Sequence, residues 1–150
     1  MPATDEAVAL AVAAADAADD RKATELTIIE VADVLAVVDL FVLASARSER
    51  QLRAVADSIE ERLHREHDRT VLRREGTPDS GWLLLDFGDI CCHVFAAEQR
   101  DFYALERLWA DVPRRDPTTG APLAAGSSGE LDRAPGDVAR QSAADEDVTS

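Results

Sequence analysis

The sequence predicts an α/β domain, a mixed β-sheet flanked by helices. Three observations carry that expectation. First, β-branched and apolar runs alternate with stretches whose apolar residues recur at helical spacing, in the order α-β-β-α-β-β-β-α. Second, residues 39–46 (DLFVLASA) are apolar almost throughout, as in a strand buried on both faces. With the helix that follows, they form a strand–helix–strand unit over 39–74, expected as a right-handed parallel crossover, with the rest of the sheet antiparallel. Third, 82–87 (WLLLDF) and 90–95 (ICCHVF) flank Gly88-Asp89 as the two arms of a hairpin.

Element by element, residues 5–18 are alanine-rich, with Val8, Ala11, Val12 and Ala15 on one stripe. Thr4 is placed to cap this helix, and Asp5 and Glu6 suit the positive end of its dipole. The stripe is thin, so the helix is expected at an edge of the fold. Thr24–Val31 reads as a strand from its β-branched content. Ser48-Glu49-Arg50-Gln51 has the S-x-x-Q form of a capping box. Leu52, Val55, Ile59 and Leu63 then trace one buried stripe of a helix ending near Glu66. Thr70–Arg74 is a short strand, and Glu75–Gly81 a turn by its Gly, Pro and Asp. Phe102, Leu105, Leu108 and Trp109 give a last helical stripe from about 98 to 110.

The chain has 150 residues, 46% of them hydrophobic, which suffices for one domain core. Residues 113–150 hold four prolines with Gly, Ser and Thr between them, and almost no large apolar residue after Leu131. The predicted organisation is thus a domain over 1–112 and a disordered tail over 113–150. The net charge is -14, spread over all three thirds of the chain. Such a surface disfavours nucleic acid and anionic membranes and favours a basic protein partner. No apolar run approaches the roughly 18–20 residues of a membrane span. The opening Met1–Glu6 is acidic where a signal peptide is basic, and Cys91 and Cys92 are adjacent. A cytoplasmic protein is expected.

Few residues offer chemistry. Asp39, Asp86 and Asp89 could hold magnesium and a nucleotide phosphate at strand ends, as a nucleotidyltransferase would require. However, no Gly-Ser phosphate loop and no second acid two residues beyond Asp39 accompany them. Cys91, Cys92 and His93 resemble a metal cluster, yet neighbours on a strand point to opposite faces. His64 and His67 lack a further ligand, and Ser48 is better explained as a cap than as a nucleophile. No cofactor, no metal and no catalytic residue are expected. Trp82, Asp86, Phe87 and Asp89 put large apolar area beside carboxylates, the composition of a hot spot aimed at a cationic partner.

Several pieces then fall in a familiar order: DLFVLASA (39–46), SERQLRAVADSI (48–59), EG (75–76), WLLLDFGDI (82–90), HVF (93–95) and RDFYALERLW (100–109). Over roughly residues 4–111, the chain resembles the ribosomal silencing factor family, also called Iojap-like. It departs from the family at Ala44-Ser45-Ala46-Arg47, where members often carry Thr-Gly, and in the length of its tail. The resemblance implies a nucleotidyltransferase-like topology without catalysis and a homodimer when free. It further implies binding to the large ribosomal subunit through ribosomal protein number fourteen at the intersubunit face, with joining of the small subunit blocked and translation repressed under nutrient limitation. The family's contact region maps onto Glu75, Trp82, Asp86, Phe87 and Asp89. Strand alternation puts Trp82 and Asp86 on one face and Phe87 on the other, so Phe87 must turn at Gly88 to reach a partner, or else be core.

Overall fold

The computed structural model describes residues 3–32, 38–98 and 112–123. Thr4 caps helix α1 (Asp5–Asp20), its Oγ1 accepting the Ala7 N–H at 3.1 Å. The helix is not marginal, as its thin stripe implied. Ala7, Leu10, Ala11, Ala14, Ala15, Ala17 and Ala18 are all buried. Alanines let the backbone approach helix α2 (Glu49–His67) and the sheet closely, so small side chains build this layer of the core. Ser48 caps α2 as expected, accepting the Gln51 N–H at 3.0 Å. The expected capping box is only half formed, because the Gln51 side chain reaches past the Ser48 N–H. Its Oε1 accepts the Arg47 N–H, and its amide donates to the Arg21 and Lys22 carbonyls, tying the start of α2 to the end of α1.

The sheet has six strands: β1 (Thr24–Glu30), β2 (Leu40–Ala46), β3 (Arg73–Thr77), β4 (Trp82–Asp86), β5 (Ile90–Ala96) and β6 (Arg114–Arg115), in the order β3-β4-β5-β2-β1-β6. It is mixed, as predicted. Its parallel pair is β2 with β5, and the other pairs are antiparallel. The crossover through α2 therefore does not set β3 beside β2. It delivers β3 to the far edge, and the β4–β5 hairpin folds back to fill the gap. Strand β3 also begins later than expected and takes in Glu75 to Thr77, leaving only a 3₁₀ turn at Pro78–Ser80 before Trp82.

The expected boundary after residue 112 also moves. Arg114 and Arg115 pair with Ile29 and Ile28, and the Glu30 N–H donates to the Pro113 carbonyl at 2.8 Å. The Arg115 guanidinium meets Glu30 at 3.3 Å, with both side chains mostly buried, and donates to the Gly120 carbonyl. Ladder bonds and one shielded ion pair hold residues 113–123, a contribution that apolar counting misses. The expected helical stripe Phe102–Trp109 and the rest of the tail lie outside the described residues.

Both faces of β2 are buried. Leu40, Val42 and Ala44 face the helices together with Leu83, Leu85, Cys92 and Val94. Phe41 and Leu43 face the other way with Ile29, Cys91 and Phe95. Among the described residues, no helix is long and apolar enough to cross a membrane.

Candidate partner-binding face

The β3–β4 register decides which predicted contact residues share a surface. Partners across an antiparallel pair point to the same side. Trp82 lies opposite Thr77, Leu84 opposite Glu75, and Asp86 opposite Arg73. All six therefore lie on the sheet face away from the helices. The gap between Glu75 and Trp82 in sequence vanishes because Gly76, at φ +84°, and the 3₁₀ turn fold the chain back on itself. A Cβ at Gly76 would overlap the Trp82 carbonyl, so only glycine allows this approach.

Trp82 is half-buried and held in place. Its Nε1–H donates to His93 Nδ1 at 3.3 Å, and the two rings stack with centroids 6.2 Å apart. His93 in turn stacks on Phe95 at 6.0 Å and meets the edge of Phe41 at 4.8 Å. Because Nδ1 accepts, the neutral ring carries its proton on Nε2. Burial pushes the His93 pKa down to about 4, so the ring is neutral at physiological pH. The cluster is an aromatic shelf in which Trp82 remains partly exposed.

Charges frame that shelf. Arg73 Nε lies 3.0 Å from Glu75 and its NH2 group 3.7 Å from Asp86. Asp86 also receives the Gly88 N–H at 2.8 Å, which shapes the β4–β5 turn. Glu75 remains 43% exposed and Asp86 23%, so both carboxylates can meet a cation. Arg73, Leu84 and His93 belong to the same surface and were not among the contact residues expected from the sequence. Their signal was present in the alternation with Trp82 and Asp86, but using it required the strand register.

Two predicted residues do not join this face. Phe87 is 2% exposed and packs with the helix-side core, which corrects its placement as a partner contact. Alternation wins over the turn at Gly88, because rotating the ring outward would leave a void in the helix-side core. Asp89 is drawn inward instead. Its carboxylate takes a 2.7 Å hydrogen bond from Arg69, whose other contacts are the Phe87 carbonyl and Glu6. Its side chain pairs closely with a mostly buried guanidinium, whereas Asp86 meets the exposed Arg73 only at 3.7 Å. Asp89 fastens the hairpin turn to the helical layer.

The alternative metal constellation does not assemble. The Asp39 carboxylate receives the Thr4 N–H, Asp86 the Gly88 N–H and Asp89 the Arg69 guanidinium. Among the described residues, no three His, Cys, Asp or Glu side chains converge as a metal site. Cys91 and Cys92 lie on opposite faces of β5. Burial and the nearby Asp86 push the Cys91 thiol up to about 12, and burial raises Cys92 as well.

The family described as "Ribosomal silencing factor during starvation" matches residues 4–147. The ribosomal silencing factor of Bacillus subtilis is 35% identical over 103 residues, which cover 69% of this chain and 86% of that protein. The ribosomal silencing factor of Zymomonas mobilis is 42% identical over 94 residues, 63% of this chain and 70% of that one. A crystal structure of a Chromobacterium violaceum protein superimposes with a TM-score of 0.64 at 27% identity, covering 68% of this chain and 84% of that chain.

Proposed function

The chain belongs to the ribosomal silencing factor family, and from that premise we propose that it binds the large ribosomal subunit through ribosomal protein number fourteen and excludes the small subunit by its bulk. No chemical step is involved. The protein acts in the cytoplasm as a repressor of translation under nutrient limitation and is a homodimer when free. The observation that carries this reading is the half-exposed, hydrogen-bonded indole of Trp82 beside two accessible carboxylates. A preordered aromatic anchor loses little entropy on docking, and Glu75 and Asp86 supply complementary charge to a basic partner.

The experiment is sedimentation of the full chain with isolated large subunits, followed by addition of small subunits, with Trp82→Ala in parallel. Co-migration with reduced joining, both lost in the variant, is the expected result. Co-migration without a block removes the steric mechanism. Failure to co-migrate at low salt removes the ribosomal partner.

A further inference from the structure

On the other side of the sheet, the described residues leave the outer surface of α1 open. A cleft of about 690 Å³ runs between α1, the turn at Pro117–Thr119 and the α2 residues Arg62 and Glu66. That volume lies within the range of pockets that enclose ligands or side-chain anchors. Its floor is apolar. Val8 and Val12 on α1 and Leu26 on β1 reach it and remain partly exposed, and exposed Ala9 opens the floor between them. The C-terminal strap fixes one wall, since Gly120 approaches so closely that a Cβ would lie 2.8 Å from Val8 and 3.0 Å from Val12. The rim is acidic. Asp5, Asp16, Asp19 and Glu66 line it. Arg62, the only cation among the lining residues, pairs with Asp16 at 2.7 Å, with Asp20 and with Glu66 at 3.7 Å. Arg65 meets Glu66 at 3.2 Å, so Asp5 and Asp19 are the carboxylates left to face an incoming cation.

We infer that this cleft is a second docking surface, taking a cationic amphipathic helix of a protein partner. An apolar floor within a carboxylate rim complements a helix with leucine-like residues on one face and lysine or arginine flanking it. The same rim repels nucleic-acid phosphates. It also disfavours the chain's own tail, because residues 124–150 carry six acids and two bases. The cleft and the Trp82 shelf lie on opposite sides of the sheet, so the domain can hold two partners at once.

The test uses the full chain and a fluorescent synthetic Leu/Lys amphipathic helix, with a Leu/Glu helix of the same pattern as the opposite-charge probe. Binding is read by anisotropy and mapped by amide chemical shifts. The Leu/Lys peptide is expected to bind and to shift signals of α1 and residues 117–119, and the Leu/Glu peptide is not. Ala9→Arg, at an exposed helical position, fills the floor and should weaken binding by at least about ten-fold. Glu61→Ala makes the same change in net charge away from the cleft and should alter binding by less than about two-fold. Trp82→Ala should leave it unchanged. Equal losses in Ala9→Arg and Glu61→Ala would reduce the effect to bulk charge and overturn the site. If Ala9→Arg without peptide shifts signals of the tail, the cleft belongs to the tail. If it separates a dimer, the cleft belongs to a second copy. Either result overturns the proposal.

Discussion

The two faces of the sheet are built from different materials. The helix-side face is lined by aliphatic residues and sealed by the alanines of α1 and the Leu52–Leu63 stripe of α2. The opposite face carries an aromatic stack of Trp82, His93, Phe95 and Phe41 beside a charged edge hairpin. Aliphatic packing tolerates no vacancy, so Phe87 was drawn into it and lost to the surface. Aromatic stacking leaves ring edges available, so Trp82 is both anchored and presentable. Of two neighbouring large aromatic residues on one hairpin, the face decides which is core and which can bind.

That contrast can be broken by substitution. Phe87→Ala should lower stability by about 3–5 kcal/mol in urea denaturation, because the cavity would sit in the helix-side core. A cost under about 1 kcal/mol would show that the ring is not packed as described.

Acid should strain the aromatic face next. His93 is held neutral down to about 4, whereas the unfolded chain takes up its proton near 6.5. The unfolded state therefore binds more protons in that window, and stability falls as pH drops from 6.5 towards 4, by up to about 3 kcal/mol. Melting His93→Phe alongside the parent isolates this slope from that of the carboxylates. Parallel pH curves would contradict a neutral buried ring.

Trp82→Ala should weaken large-subunit binding by about thirty-fold or more, equivalent to about 2 kcal/mol. Its stability loss should be smaller than that of Phe87→Ala, because the indole is only half-buried.

Asp89→Asn should cost about 1 kcal/mol of stability by weakening the contact with Arg69, with little change in binding. The reverse pattern would return Asp89 to the contact surface. Glu75→Gln should change stability by only a few tenths of a kcal/mol. It should slow association at low salt and lose that effect as salt rises, as measured by stopped-flow mixing.

Much of this was legible in the sequence because it is local. Ser48 announced its helix by type and spacing, and the DLFVLASA run announced a strand buried on both sides. Alternation along 82–87 put Trp82 and Asp86 on one face and Phe87 on the other, although the resemblance still counted Phe87 among the contacts. The partners of each strand were not legible, since β2 can satisfy its backbone against β3 or β5 equally well. Only the tertiary packing of α2 and the β4–β5 hairpin selects β5. The roles of Asp89 and Gln51 were hidden for the same reason, as Arg69 and the Arg21 carbonyl lie 20 and 30 residues away. The strap was missed because its hold is polar and long-range.

That strap also sets an order of events. Glu30 waits for Arg115, 85 residues later, before the outer edge of β1 is covered. Contacts of such sequence separation close late, after the local helices and the β4–β5 hairpin have formed. During synthesis, Ile28 and Ile29 therefore offer an unpaired edge for most of the time that the chain is being made, and the valines of α1 lack Gly120. Aggregation of the nascent chain is most probable in that interval, and substitutions at Arg115 or Gly120 would lengthen it, lowering the yield of folded protein more than the stability of what has folded.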